Sequence, residues 1–171
     1  MFPKKISFLM IFSLVTLLFP GFILAEYSGL SGFSELAFIK RNTFDPNHYY
    51  TEFINSSWKP GGGIFILNLA DRSERELFPQ MSGGVFGRFD ISFDAKHIVF
   101  SYKKSAGEGF RIYSANIDGT NLRQLTFPEP GEAETAKKFK RGKYHNGTDD
   151  MDPCWLPDGG IAFVSTRPRY G

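Results

Sequence analysis

SFDAKHIVFSYKKSAGEGFRIYSANIDGTNLRQLT, residues 92–126, decides the fold. Ile98-Val-Phe-Ser-Tyr102 is a short apolar run rich in β-branched and aromatic residues. Phe110-Arg-Ile-Tyr-Ser114 alternates apolar with polar, the period of a half-buried strand. Asp118-Gly119 separates that run from Leu122-Arg-Gln-Leu-Thr126, where the chain must accept positive φ, so the pair predicts a hairpin. The stretch reads as strand, turn, strand, hairpin, strand.

The same pattern recurs on both sides. Leu36-Ala-Phe-Ile-Lys40, Ile98-Val-Phe-Ser-Tyr102 and Ile161-Ala-Phe-Val-Ser165 align on Phe38, Phe100 and Phe163, which lie 62 and 63 positions apart. Gly63-Ile-Phe-Ile-Leu-Asn-Leu69 matches Gly109-Phe-Arg-Ile-Tyr113, and Arg75-Glu-Leu-Phe78 matches Leu122–Thr126. Asp90 and Asp94 stand before the second apolar run as Asp152 and Asp158 stand before the third. Asp158-Gly159-Gly160 supplies the turn there. Helical periodicity is scarce after residue 25, and about nine short strands are expected.

An all-β chain follows. Recurrent units of four strands are the sign of a β-propeller, with a typical period of ~40–50 residues. The period here stretches because residues 42–60 and 128–150 are inserted between strands. Insertions of that kind fall in loops on one face of a repeat array, often the binding face. A β-sandwich would also have many short strands, but not phenylalanines recurring with similar flanks. The expected architecture is a partial β-propeller of about two to three blades of short antiparallel strands.

Composition narrows the function classes. The chain has 171 residues, 20 basic and 18 acidic side chains, 42% hydrophobic and 16% aromatic content. That is one domain's worth of chain, and its aromatic content excludes a disordered tail. A balance of +2 leaves no basic field for nucleic acid. A single cysteine, Cys154, excludes an internal disulfide framework and a four-cysteine metal site.

Residues 1–25 have the layout of a secretory signal peptide: Lys4 and Lys5, an apolar stretch from Ile6 to Phe19, and Ala25 at the expected cleavage position. Pro20 and Gly21 break the apolar run short of the ~20 residues a membrane span needs. Their removal takes two lysines and no acid, so residues 26–171 carry 18 charges of each sign. The expected protein is exported to the periplasm or extracellular space, with no stable membrane span after cleavage. Its domains are a signal peptide at 1–25 and a partial propeller at 26–171.

Ser92-Phe-Asp-Ala-Lys-His-Ile-Val-Phe-Ser101, Gly109–Tyr113 and Asp118–Thr126 together resemble the TolB-type propeller repeat. That repeat runs Ser-Pro-Asp-Gly-Lys, an Ile-Ala-Phe strand, an Ile-Tyr strand, and an Asp-Gly turn ending in Leu-Thr. Phe93 stands for the repeat's proline and Ala95 for its glycine, which makes that turn atypical. Leu156-Pro-Asp-Gly159 with Ile161–Arg167 matches again. The resemblance covers residues 34–41 and 61–171 and speaks to fold more than to function.

Asn47-His-Tyr-Tyr-Thr-Glu-Phe53, Asp149-Asp-Met-Asp-Pro-Cys-Trp155 and Phe163-Val-Ser-Thr-Arg167 further resemble the propeller of hydrazine synthase alpha-subunit-type proteins. Those are large exported proteins, several with c-type haem. The likeness implies a longer, haem-bearing parent. With no Cys-x-x-Cys-His, it carries no haem site onto any residue here, so no cofactor is expected within this chain.

Candidate chemistry is sparse. Asp149, Asp150, Asp152 and Asp158, with His145 nearby, form an acidic group able to bind a hard cation through oxygen. The group lacks the alternating acids and glycine of a calcium loop. Asp158 reads equally as a turn residue and Asp152 as a bridge to backbone amides between blades. His48, beside Tyr49 and Tyr50, is a candidate ligand or proton carrier. The metal candidates are thus His48, His145, Asp150 and Asp152. The structural turn and blade residues are Asp90, Asp94, Asp118, Gly119, Asp152 and Asp158.

Cys154 suggests a partner thiol elsewhere, because a cysteine nucleophile needs a positioned base that no spacing identifies. Ser31 lacks the glycines of a nucleophile elbow. Lys137–Lys143 is the one basic run and reads as a solvated loop. Asn55 and Asn146 fit a glycosylation pattern.

No complete catalytic set is present, so enzyme activity stays undecided and any reaction is expected outside this chain. A propeller needs about four to eight blades. Nine strands make about two, so the chain is expected to continue past Gly171 or be completed by protein subunits. Three readings remain: a binding and scaffold propeller of a larger exported protein, a TolB-like envelope propeller that binds proteins, and the gating propeller of a serine peptidase.

Overall fold

The computed structural model describes residues 32–42, 60–138 and 147–167. Nine strands fill these segments in three antiparallel sheets. β1 (Glu35–Arg41), β2 (Gly62–Asn68) and β3 (Glu74–Glu76) form the first sheet in that order. β4 (Val85–Ile91), β5 (His97–Lys103), β6 (Arg111–Asn116) and β7 (Arg123–Gln124) form the second. β8 (Asp150–Trp155) and β9 (Ile161–Ser165) form the third. The expectation of an all-β chain holds, and every ladder joins strands adjacent in sequence.

One departure is a short helix, α1 (Glu132–Lys138), inside the second expected insertion. Seven residues span two turns, too few to reveal a periodic apolar face. Its sequence nevertheless suits a helix, with Glu132 and Glu134 in the first turn and Lys137 and Lys138 in the last, matching the backbone dipole.

The sequence repeat reappears as a repeat of register. Phe38 lies opposite Phe65, which lies opposite Glu76. Phe100 lies opposite Tyr113, which lies opposite Gln124. Both aromatic pairs stack with centroids 5.8 Å apart. The first strands of the second and third sheets each carry a bulge, between Phe86 and Phe89 in β4 and between Met151 and Cys154 in β8. Pro153 sits within the second bulge, one of the few strand positions that tolerates a missing amide donor.

Four strand connections share one device. Asp71, Asp94, Asp118 and Asp158 each accept the backbone N–H two residues ahead, at 2.8–3.1 Å. The intervening residue has positive φ every time: Arg72 at 60°, Ala95 at 56°, Gly119 at 92° and Gly159 at 85°. An aspartate closing its own turn this way competes with the unfolded chain's solvation and favours a tight reversal. The hairpin expected at Asp118-Gly119 is present, with Gly119 N–H donating to Asn116 O at 2.9 Å. Gly119 is further constrained because a Cβ there would stand 2.8 Å from Leu77 O on the first sheet.

The first and second sheets enclose the main core. Ile64, Ile66, Leu77, Phe78 and Met81 from one side meet Phe86, Ile98, Phe100, Tyr102 and Ala115 from the other. Phe78 and Phe100 stack at 4.8 Å, and Phe86 and Phe100 lie 5.7 Å apart. Full burial of each ring contributes ~1.5–3 kcal/mol, and each aromatic pair ~0.5–1.5 kcal/mol more. Tyr102 donates its hydroxyl to Met81 O at 2.8 Å, so its one polar atom is satisfied. A smaller apolar cluster of Val85, Phe110 and Met151 joins the second sheet to the third. Among the described residues no helix is long and apolar enough to cross a membrane.

Candidate binding groove

The junction of the second and third sheets holds a network of buried polar groups. Its inner half is closed. Asp149 and Asp150 are buried, at 2% and 0% exposure. Asp149 accepts the Phe110 N–H at 2.8 Å, while Asp150 N–H donates to Phe110 O at 3.0 Å. Asp150 receives Arg167 through Nε at 3.1 Å and Nη2 at 2.6 Å, and the Ser165 hydroxyl at 2.7 Å. Arg167 also donates to Glu129 and to Phe127 O, both at 2.6 Å. The Asp150 carboxylate holds this guanidinium more firmly protonated than usual.

Arg111 makes a second buried pair. Its Nη2 reaches both oxygens of Glu132, at 3.0 and 3.2 Å, and its Nη1 reaches Thr148 O at 2.5 Å. Burial alone would raise the Glu132 carboxyl. The donors of Thr148 and Glu129, with Arg111 beside them, outweigh it and bring the group below the ordinary value. Lys103, buried at the end of β5, is pushed down by burial, with Asp149 opposing. Charges removed from water need such paired, hydrogen-bonded partners.

This network answers the acidic-group expectation for the described residues. Both Asp150 oxygens are engaged by Arg167 and Ser165, which neutralises the charge a cation would need. Among the described residues no group of three His, Cys, Asp or Glu could hold a metal. His48 and His145 lie outside the described residues, as do residues 1–25, Asn55, Asn146 and the basic run beyond Lys138.

Asp152 differs from its expected bridging role. It sits in the β8 bulge with φ 50°, its carboxylate 3.6 Å from Arg88 Nε. The link from a carboxylate to an amide of the next sheet is made by Asp90, whose Oδ2 accepts the Trp155 N–H at 2.8 Å. The register explains the change. Asp90 lies opposite Val99, and Cys154 lies opposite Ala162, so Cys154 takes the position of Asp90 in the third sheet. Asp94, Asp118, Gly119 and Asp158 occupy the turns expected of them. Cys154 is exposed, and as the only cysteine of the chain it cannot make the two thioether links of a c-type haem. The donor set does not fit that cofactor.

The outer half of the junction is open. Two adjoining hollows of about 470 and 430 Å³ share His97, Arg123 and Trp155. Ser114, Asn116, Asn121 and Leu122 complete the first, while Ser92, Phe93, Asp94, Leu156 and Pro157 border the second. The repeated turns build the walls: the Asp94 turn presents Phe93, the Asp158 turn presents Leu156 and Pro157, and the segment after the Asp118 turn presents Asn121 and Arg123.

Trp155 is fixed by its backbone bond to Asp90, and its ring lies 6.1 Å from that of His97. Phe93 is 75% exposed and Leu156 40%. Asp94 is occupied within its own turn, accepting the Ser92 hydroxyl at 2.6 Å. That bond, the Lys96 amide and His97 hold its carboxyl below the ordinary range. Acids and histidines do not mark this groove, because its walls come from turns 24 or more residues apart. The repeated Asp turns were the signal that could have found it.

Comparison with protein families, curated proteins and solved structures finds no match to this chain.

Proposed function

We propose that this chain is an exported binding and scaffold module, a partial TolB-type β-propeller spanning residues 26–171 behind a signal peptide at residues 1–25. The observation that carries the reading is the register repeat: Phe38–Phe65–Glu76 and Phe100–Tyr113–Gln124 occupy equivalent rows of successive antiparallel sheets. Sheets connected in chain order, each with the same aspartate turn, are what radial repetition of a blade requires. On this reading the four-stranded second sheet is a whole blade, and its neighbours contribute three and two strands. The similarity to hydrazine synthase alpha-subunit-type propellers extends the proposal to a larger assembly. There the module holds protein subunits together, and any haem chemistry resides in other parts.

Binding rather than catalysis fits the polar groups. Arg111 pairs with Glu132 and Arg167 with Asp150, and the open groove carries donors and exposed apolar walls. Two measurements on the full chain test the reading. Expressed with its own N-terminus, the protein should be recovered outside the cytoplasm with Glu26 as its first residue. Recovery at full mass inside the cell would remove export. A crystal structure should show successive sheets related by rotations of about 45–90° around one axis, as four to eight blades demand. Two sheets packed face to face would overturn the propeller.

A further inference from the structure

We propose that Lys103 is a covalent capture site, whose Nζ condenses with a small, uncharged, apolar aldehyde or ketone at the rim of the seam between the second and third sheets. The inference goes beyond the binding-module reading, which assigns no reactive group, and does not depend on it. In the reaction the nitrogen lone pair adds to the carbonyl carbon and the C–O bond breaks. Both hydrogens of the neutral amine leave with that oxygen as water. The product is an imine, and neither an oxidant nor a reductant is consumed.

Position is the first argument. Successive side chains of a strand point to opposite faces of its sheet. Ile98, Phe100 and Tyr102 of β5 enter the main core, so Val99, Ser101 and Lys103 face the third sheet. Lys103 is only 5% exposed there. It lies opposite Val85 in the β4–β5 ladder, and Val85 clusters with Phe110 and Met151. The row that holds this lysine is therefore apolar on its flanks. Lys103 is also the last residue of its strand, followed by the exposed Lys104, which puts it at the rim of the sheet.

Charge is the second argument. Among the described residues the Lys103 amine makes no hydrogen bond and no ion pair. The other cations of the junction are held, Arg111 by Glu132 and Arg167 by Asp150. Glu108, in the turn after β5, accepts the Ser105 hydroxyl at 3.1 Å. Asp149 is the carboxylate that acts on Lys103, and it is engaged by the Phe110 N–H. An ammonium without a hydrogen-bond acceptor is costly to bury, which favours the neutral amine. Burial accordingly pushes the Lys103 amine down, and the attraction of Asp149 does not restore it. A desolvated neutral amine is the nucleophilic form of lysine. Apolar flanks and a nearby carboxylate select an uncharged carbonyl compound over an anionic one.

The test is reductive alkylation of the natively folded full chain with propanal and sodium cyanoborohydride, whose hydride fixes the imine as a secondary amine. Peptide mass spectrometry reads each lysine, with exposed Lys104 as the internal reference. At about pH 6.5 Lys103 should be alkylated about fivefold faster than Lys104 or more. The ratio should narrow as pH is raised to about 9.5, where exposed amines also lose their protons. Glyoxylate, an anionic aldehyde, should favour Lys103 over Lys104 less than propanal does. A Lys103 rate no greater than that of Lys104 at the lower pH, a ratio that does not change with pH, or labelling of Lys103 only in urea would overturn the inference. So would glyoxylate preferring Lys103 as strongly as propanal. None of these outcomes touches N-terminal processing or sheet geometry, so the broader reading stands or falls separately.

Discussion

Ala95 occupies a backbone conformation that its counterpart, Gly159, adopts without penalty, and exchanging the two residue types should move stability in opposite directions. Both close the same turn. Ala95 N–H donates to Ser92 O at 2.8 Å, and Gly159 N–H donates to Leu156 O at 3.0 Å. Their φ values are 56° and 85°. A Cβ in the left-handed region costs roughly 1–2 kcal/mol. Glycine gives back about 0.4–1 kcal/mol through the extra freedom of the unfolded chain.

Ala95→Gly should therefore stabilise by about 0.5–1 kcal/mol, and Gly159→Ala should destabilise by a similar amount. No atom lies within 4 Å of the Cβ that Gly159→Ala would add, so the second effect is purely one of backbone. Gly119→Ala adds a close approach to Leu77 O, and its cost should rise to about 2–3 kcal/mol. For a chain of this length each kcal/mol moves Tm by about 2–4 °C. Thermal unfolding followed by circular dichroism, with urea midpoints as a cross-check, resolves shifts of that size. A lower Tm for Ala95→Gly, or an unchanged one for Gly159→Ala, would refute the assignment of these turns as equivalent.

Other consequences concern the junction of the second and third sheets. Asp90→Ala leaves the Trp155 N–H without its acceptor and should cost about 1–3 kcal/mol in urea unfolding. Asp152→Asn keeps a residue tolerant of positive φ and loses only a long, exposed pair with Arg88, so its change should stay within about 0.5 kcal/mol. Arg167→Ala strands the buried Asp150 carboxylate and should cost about 2–4 kcal/mol, less than a fully enclosed pair because Arg167 is partly exposed; Asp150→Asn in that background should recover part of the loss. Glu132, Asp71, Asp94 and Asp118 all have carboxyls held below their ordinary values. Their stabilisation is present above the unfolded values near pH ~4 and is lost as pH falls through the folded ones. Tm should accordingly drop between about pH 5 and 3, and Glu132→Gln should flatten that slope.

The strands were readable where alternation and aromatic content were undisturbed. Phe38, Phe100 and Phe163 marked β1, β5 and β9, and the Asp-Gly pairs marked the reversals. β4 and β8 were harder because each is bulged. Arg88 interrupts the apolar pattern of one, and Asp152 and Pro153 that of the other. The acids of β8 consequently suggested a cation site, although Asp150 serves as counter-ion to an arginine 17 positions on. Short-range spacing cannot reveal such partners, because Phe110 and Asp149, or Asp90 and Trp155, meet only when separate sheets pack. α1 escaped notice for a simpler reason: two turns leave no period to detect.

Because each ladder joins strands that follow one another in the chain, the molecule can be assembled in the order in which it is released. A polypeptide emerging end first, from a ribosome or through a membrane channel, completes the first sheet before β4 has appeared, and the second before β8. Apart from residues 42–61 between β1 and β2, the loops closed within each sheet are short, which favours rapid folding. Bonds between sheets reach further, that of Asp90 and Trp155 spanning 65 positions. Until Trp155 emerges, the outer edge of the second sheet is finished but unlatched, and this late step is where a growing chain is most open to binding the wrong neighbour.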